Sequence, residues 1–545
     1  MKPFSAPYAV FTDRLRNRGQ KTAWIEYTIT ATCAIGNMLF GYDQGVMGGF
    51  LTSTSFANTF PSISSDGGNS TLQGFVVAVY EIGCAVGALS VIFGGDRYGR
   101  RVTVMCGQTI LIIGAILQFT SYSLSQLIVG RIVTGVGNGM AVAVLPTWNG
   151  ECSRSSNRGR AVLWQLNVNI LGIAIAYWVD YGVNESSLTG NTDWSWRFPL
   201  SLQVVFSAAT IIFSFFLPDS PRALVRKGKV DEARDVIDML SLEIDPVKRA
   251  EATNISLSLI ENALEEENTE NKTSWSDVFT QGEGRYFQRL VLATMSLCML
   301  QLSGLNLITN YAPVIFQDTL GMSRNLSLLM AGFNGLEYWL ATFVPIPLID
   351  RVGRRRIMLF SAIGQTITMA VLAGCIAYPN SKPAGYVATV GLFVFNTFAG
   401  IGFDGIPFLL PVELTPLQTR GKSVAIATGC FWLCNFFVVM ISPVLIDRIK
   451  YGTYILWCGT NLCFVPLIYF LIPETSKAAL EDIDVLFQTS GRWVIGPGSR
   501  QKLRDIVAGR QAAESSYIKE HREFDSNKSQ VEIIEDTSAD KHSQV

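Results

Sequence analysis

Histidine is nearly absent: the 545 residues contain two, His521 and His542, both near the C-terminus. That removes histidine from any metal site, proton relay or nucleophile–base pair in the core. Charge is scarce too. Charged residues make up 16% of the chain and hydrophobic ones 49%, whereas soluble globular chains carry roughly 25% charged residues. The formal net charge of -1 implies no bulk electrostatic partner, nucleic acid included. The ten cysteines stand singly in apolar segments, without C-x-x-C spacing. They read as small buried hydrophobes, not a disulfide frame or a zinc site. No cleavable signal peptide is visible, because Met1 to Lys21 is polar and basic. No Walker motif is present, which argues against ATP-driven pumping. Gly135-Val136-Gly137-Asn138-Gly139 superficially suggests a nucleotide loop, but it lies inside an apolar segment with no preceding strand. Its small residues suit close helix approach instead. No cofactor is implied.

Apolar length is abundant. A membrane helix needs about 20 mostly apolar residues, and twelve such spans are expected at 26–50, 73–93, 103–123, 125–147, 161–181, 197–217, 288–317, 327–349, 357–378, 385–410, 422–446 and 453–472. The expected fold is an all-α membrane protein with two six-helix bundles, 26–217 and 287–472. A polar helical linker, 218–286, joins them, with tails at 1–25 and 473–545. Lys and Arg crowd the N-terminal tail and alternate loops, and are absent from 51–72, so both termini are expected to be cytoplasmic. The sequons at Asn69, Asn184 and Asn325 then fall on or near the outer side as glycosylation candidates. In the linker, apolar periodicity predicts one amphipathic helix through Val230, Ala233, Val236, Ile237 and Leu240 and another through Leu257, Ile260 and Leu264. The tail beyond about 485 is polar and is expected to be largely disordered.

Three motifs occur twice in the same order. Gly95-Asp96-Arg97-Tyr98-Gly99-Arg100-Arg101 pairs with Asp350-Arg351-Val352-Gly353-Arg354-Arg355. Glu151 with Arg158-Gly159 pairs with Glu413 and Arg420-Gly421. Pro218-Asp219-Ser220 pairs with Pro473-Glu474-Thr475. The offsets of 254 to 262 residues indicate two equivalent halves, the construction by which secondary transporters obtain alternating access. Asp96, Arg97, Arg100, Arg101, Glu151, Arg158, Asp350, Arg351, Arg354, Arg355, Glu413 and Arg420 are the candidates for a charge network at the cytoplasmic ends that breaks when the carrier changes state. Plain positive-inside anchoring is the alternative for single arginines.

These residues resemble the sugar porters of the major facilitator superfamily over nearly all of 26–485. The resemblance rests on Gly41-Tyr42-Asp43, the G-D-R-Y-G-R-R run, Pro218-Asp219-Ser220-Pro221-Arg222, Gln301-Leu302-Ser303-Gly304-Leu305-Asn306 and Pro473-Glu474-Thr475. Phe40 to Met47 and Ala176 to Tyr181 look like fungal members, including glycerol–proton symporters. The resemblance implies a solute path between the bundles. It also implies that Asp43, in span one, carries a proton and that Arg131, near the start of span four, tunes it. Burial disfavours a charged carboxylate and a nearby cation favours it; the sequence does not require the two to touch, and a permanent salt bridge is the alternative. Gln165, Gln301 and Asn306 match sugar-binding amides, and Trp432 and Asn435 match positions lining the site. Four positions depart from the family pattern: Leu300 for a glutamine, Phe408 for a tryptophan, Tyr338 for an asparagine and Asp404 for a glycine. Asp404 could bind a polar or cationic group, take a second proton, or cap a broken helix. Glu81 and Glu337 could face the cavity or bond between helices.

The expected activity is proton symport of a monosaccharide or small polyol at the plasma membrane, with no enzymatic step. Rival readings are a carrier of the same fold for a hydroxylated acid or secondary metabolite, and a non-transporting nutrient sensor. Oligomeric state is left open.

Overall fold

The structure is a computed structural model that describes residues 23–510 apart from 64–67, 154–157, 187–191, 242–244, 271–274, 283, 379–380, 477, 479 and 492–494. Ten helices among the described residues are long and apolar enough to cross a membrane. Two more, Ala23–Leu51 (span one) and Arg324–Ala341 (span eight), pack in the same bundles. Their polar residues are turned inward: Asn37, Asp43 and Gln44 of span one and Asn334 of span eight are all buried. Together these make twelve transmembrane helices in two six-helix bundles. The outer surface is apolar where lipid would meet it, as at Ile113 and Ile116 of span three, Ile212 of span six and Leu462 of span twelve.

Two spans expected as single helices are broken. Span seven runs as Tyr286–Leu302 and Leu305–Val314, followed by a π turn at Ile315–Thr319. Its break is at Gly304, whose φ of +86° places the residue where a side chain is strained, with the Trp457 ring packed against it. Span ten runs as Lys382–Gly402 and Ile406–Leu414. Pro407 suits the first turn of the second segment, where its missing N–H is not needed. Broken helices in carriers leave backbone polar groups beside the solute path.

The halves touch along three seams: span five against span eight, span two against span eleven, and span one against the second segment of span seven. Gly48 of span one lies so close to span seven that an added Cβ would be 2.8 Å from the Asn310 carbonyl oxygen. Asn184 donates to Asn325 across the five–eight seam at 2.6 Å, and Asn325 donates to Glu185 at 3.0 Å. Two of the three candidate sequon asparagines thus spend their amide N–H groups within this seam, Asn184 on Asn325 and Asn325 on Glu185. Asn69 instead caps span two with its carbonyl oxygen, which accepts from the Thr71 and Leu72 N–H groups.

At the arginine-rich end the repeated motifs form matching knots. Gly99 and Gly353 turn the chain from span two into three and from eight into nine, with φ of +85° and +101°. A Cβ on either would strike a carboxylate, Asp219 at 2.1 Å or Glu474 at 2.2 Å. Those carboxylates accept the first N–H groups of the next helix: Asp219 from Arg100 and Arg101 at 3.0 and 3.1 Å, Glu474 from Arg354 at 2.8 Å. The Asp219 and Glu474 of the third repeated motif are therefore helix caps supplied from a distance. Arg100 pairs with Glu151 at 3.3 Å and Arg354 with Glu413 at 3.2 Å. Glu151 also accepts from Ser220, and Glu413 from Thr475 at 2.6 Å. Arg354 reaches Asp350 at 2.8 Å. Arg101 and Arg355 bond the Phe215 and Tyr469 carbonyls and lie over those rings. Arg420 donates to the Thr415 carbonyl, and Arg97 and Arg351 are exposed. Each of these bonds lies within one half. The side chains of Asp96 and Arg158 lie outside the described residues. Replacing Glu474 by alanine should lower stability by about 1–2 kcal/mol through the lost cap, seen as an earlier melt of the detergent-solubilised protein.

The linker forms Pro221–Arg226, Val230–Leu240 and Pro246–Glu270, which bury Leu224, Ala233, Val236 and Leu257 together. The tail differs from expectation over its first part. Leu480–Thr489 is a helix, and Ile483, Leu486, Phe487, Ile495 and Leu503 are buried. Their apolar spacing within a polar stretch covers the second half, and Arg289 of span seven pairs with Asp484. Residues 511–545 lie outside the described set. Cys106 and Cys463 are exposed, so not every cysteine is a buried hydrophobe.

Candidate functional site

Asp43 and Arg131 meet directly, against the looser arrangement the sequence allowed. Arg131 Nη1 donates to Asp43 Oδ1 at 3.0 Å, and both side chains are at most 3% exposed. Arg131 Nη2 donates to the Val77 carbonyl at 2.9 Å, and the guanidinium lies 4.6 Å from the Tyr80 ring centre. Gln203 of span six donates a second hydrogen bond to Asp43 Oδ1 at 3.1 Å. Four helices of the first half thus converge on one carboxylate. A buried ion pair of this kind is costly to break from one side, because the partner charge is left in a poor solvent.

The second half supplies an amide cluster. Asn306 donates to Gln301 Oε1 and to Asn435 Oδ1, and accepts from Thr309 at 3.3 Å. Asn306 opens the second segment of span seven, and Gln301 closes the first, so the Gly304 break is what folds the two amides together. Asn435 comes from span eleven, and its amide nitrogen is turned toward Glu81 of span two. Glu81 of span two stands beside Asn435 with one carboxylate oxygen unpaired. Buried amides with spare donors and acceptors are what a hydroxylated ligand requires.

Aromatic rings wall the cluster. Trp432 is edge-on to Phe40 across the seam, with ring centres 5.5 Å apart, and to Phe431 at 5.1 Å. Phe408 packs on Phe431 at 5.3 Å. The Trp432 indole nitrogen has no partner. Phe40 is three residues before Asp43, so one helical turn separates the ion pair from the ring that touches Trp432.

Other candidates are placed differently. Gln165 stays with its own half: it accepts from Asn149 at 3.3 Å, and its amide nitrogen is free. Glu337 accepts from Thr397, so it bonds between helices. Asn334 accepts from Asn396 at 2.8 Å, and Tyr338 is buried. Asp404 lies in the span-ten break and lines a small cavity of about 20 Å³, room for about one water, shared with Asn167 and Thr342. The sequence reading missed Gln203, Tyr80, Asn167 and Thr342. Gln203 was detectable: with Ser207, Thr210 and Ser214 it forms a buried polar stripe at helical spacing along an otherwise apolar span. Asn167 was not, because only the packing of spans five and eight gives it a partner.

The sequence profile described as "Sugar (and other) transporter" matches residues 29–487. The chain is 34% identical over 485 residues to the sugar transporter STL1 of Saccharomyces cerevisiae, covering 88% of this chain and 84% of that one. It is 33% identical to the MFS-type transporter oryC of Aspergillus oryzae, covering 88% of each. It is 31% identical to the low-affinity glucose transporter HXT4 of S. cerevisiae, covering 86% of this chain and 82% of that one. Among solved structures, the xylose transporter XylE of E. coli shares the fold. Its inward-open form superposes with a TM-score of 0.69 at 22% identity, over 85% of this chain and 99% of XylE. Its 6-bromo-6-deoxy-D-glucose complex gives 0.71 at 23% identity, over 85% and 99%. With profile, relatives and fold agreeing over the same twelve helices, the chain belongs to the sugar porter family of the major facilitator superfamily and is a multi-pass membrane transporter.

Proposed function

We propose that the protein is a proton symporter for a monosaccharide or small polyol, working by alternating access in the plasma membrane with both termini cytoplasmic. The observation that carries this reading is the buried Asp43–Arg131 pair one helical turn from Phe40, whose ring meets Trp432 beside the Gln301–Asn306–Asn435 cluster. Proton and solute sites are thereby joined through span one, which also packs on the second segment of span seven. Protonating Asp43 removes the charge that holds Arg131 and loosens span one, so the seam responds to the proton. Amides and aromatic edges suit neutral hydroxyls.

The test is solute-induced proton uptake in cells lacking their own sugar carriers, with hexoses, pentoses, glycerol and larger polyols. Alkalinisation of the medium by one of them is expected. No proton movement with any of them, while labelled solute still enters, would leave a uniporter; no flux at all would favour a sensor. Asn306→Ala should raise the half-saturation concentration roughly tenfold, two net hydrogen bonds being lost, with the proton-to-solute ratio unchanged. A changed ratio would show that Asn306 serves coupling instead of grip.

A further inference from the structure

A second carboxylate lies within reach of the Arg131 guanidinium. Glu81 is buried on span two, Ser70–Tyr98, and Arg131 comes to it from span four. Arg131 Nη2 donates to the Val77 carbonyl at 2.9 Å, and Val77 is one turn before Glu81 on the same helix face. The guanidinium covers the Tyr80 ring between them, and its Nε has no hydrogen-bond partner. The charged groups that act on Glu81 are Arg131 and, from span one, Asp43. Span eleven turns the neutral Asn435 amide toward it. Tyr80 and Cys84, its neighbours on span two, are a phenol and a thiol and carry no charge near neutral pH. This buried set therefore has two carboxylates and one guanidinium among the described residues.

A charged carboxylate in a low-dielectric interior needs a counter-charge or several donors. Asp43 has both, the Arg131 ion pair at 3.0 Å and the Gln203 donor at 3.1 Å. Glu81 has one oxygen with no hydrogen bond. Two acids compete for one cation, and two carboxylates that share a site do not both ionise readily. Glu81 also stands on a contact between the halves. Span two meets span eleven so closely that a Cβ on Gly74, two turns before Glu81, would lie 2.1 Å from the Met440 carbonyl oxygen. Asn435 in turn accepts from Asn306, which donates to Gln301. The order Gln301, Asn306, Asn435, Glu81, Arg131, Asp43 thus runs from the solute cluster to the ion pair without leaving polar groups.

We propose that Glu81 is a second coupling residue, which shares one proton with Asp43 through Arg131 and passes its charge state to the solute cluster through Asn435. This deepens the symport reading and rests on it. In this packing Asp43 holds Arg131, and Glu81 holds the proton. When Asp43 takes a proton, Arg131 is freed to pair with Glu81, which gives its own proton up. When Arg131 returns, the proton passes from Asp43 to Glu81. One proton crosses per round trip, and the set never carries an uncompensated charge. A charged Glu81 binds the Asn435 amide more strongly than a neutral one does, so the solute cluster responds to where the proton sits.

The experiment uses the full-length protein in liposomes, with the solute that drives proton uptake in wild type as the probe. Glu81→Gln keeps the side-chain length and an acceptor oxygen but cannot change charge. Its accumulation ratio should fall to about one, because a carrier without differential binding shifts no equilibrium. Counterflow should continue at a several-fold higher half-saturation, roughly what a lost charge-assisted bond implies. Glu81→Asp, which keeps a titrating group, should restore part of the accumulation. Infrared difference spectra give a reading that a structural role would not move. Wild type minus Glu81→Gln should show the carbonyl stretch of one protonated carboxyl. Wild type minus Asp43→Asn should show the same band, since Glu81 then keeps Arg131 and ionises. If Glu81→Gln does not fold, the Asp43→Asn spectrum decides alone. Full accumulation in Glu81→Gln, or a protonated carboxyl that Asp43→Asn leaves in place, would overturn the inference while symport stands. If wild type moves no proton with its solute, the wild-type arm shows it, and the symport reading falls together with this inference.

Discussion

Asp43→Asn should give a carrier that exchanges its solute at near wild-type rate but no longer accumulates it. Asparagine keeps the shape and one acceptor oxygen, so the hydrogen bonds from Arg131 and Gln203 can persist. What it lacks is the ability to change charge. On the proposed mechanism charged Asp43 holds Arg131 by an ion pair and neutral Asp43 only by a weaker hydrogen bond, so the proton selects between two packings of spans one and four. With the switch fixed, the gradient has nothing to act on, and the accumulation ratio should fall to about one, because a carrier without differential binding shifts no equilibrium. The measurement is labelled-solute uptake against a concentration gradient, beside counterflow in pre-loaded vesicles. Loss of both would mean that Asp43 holds the fold. Retention of both would mean that the proton is carried elsewhere, with Glu81 the next acid to examine. Asp43→Ala should be far worse. It leaves Arg131 buried without a counter-charge, at a cost of about 3–5 kcal/mol.

Gly135→Leu should abolish the folded protein. Spans two and four approach so closely that glycines alternate with carbonyls along the contact. A Cβ at Gly135 would lie 2.2 Å from the Tyr80 carbonyl oxygen, one at Gly139 2.1 Å from that of Cys84, one at Gly83 2.4 Å from that of Ile132, and one at Gly87 2.1 Å from that of Val136. Both partners are helix backbone, which cannot swing aside as a side chain can. Overpacking a core costs about 1–3 kcal/mol where side chains can repack, and occasionally more; here the helices themselves must separate. That separation would also withdraw Arg131, one turn before Gly135, and Tyr80, whose ring it covers, from Asp43. Size-exclusion of a fluorescent fusion should show the monodisperse peak lost. Gly429→Ala, where nothing lies within 4 Å of the new Cβ, is the control and should leave the peak unchanged. A stable Gly135→Leu carrier would show that spans two and four are not locked together.

The two predictions draw on different kinds of information. Asp43 stands out in the sequence because a charge inside an apolar span is costly and needs a reason. Gly135 stands out only as part of a run of small residues suited to close helix approach; which helix it meets, and how closely, only the packing shows. The amide cluster is a middle case. Gln301, Asn306 and Asn435 could be picked by family resemblance, but that the first two are joined follows from the Gly304 break, which a uniform apolar run from 288 to 317 conceals. The basic motifs were legible as a repeat. Their role as remote caps was not, because Asp219 and Glu474 are more than a hundred residues from the N–H groups they accept. The helical tail at 480–489 was overlooked because its apolar face is short and set in polar sequence.

By itself the sequence determined the number of spans, the doubling of the chain and the inward-facing acid, since each is a local matter of apolar length, repeated spacing or a charge out of place. The tertiary structure decided which polar groups meet. Asp43 with Arg131, Asn306 with Asn435 and Asn167 with Thr342 are pairings across helices. A hydrogen bond in a low-dielectric interior depends on angstroms of position, and no residue carries that information until the helices are packed.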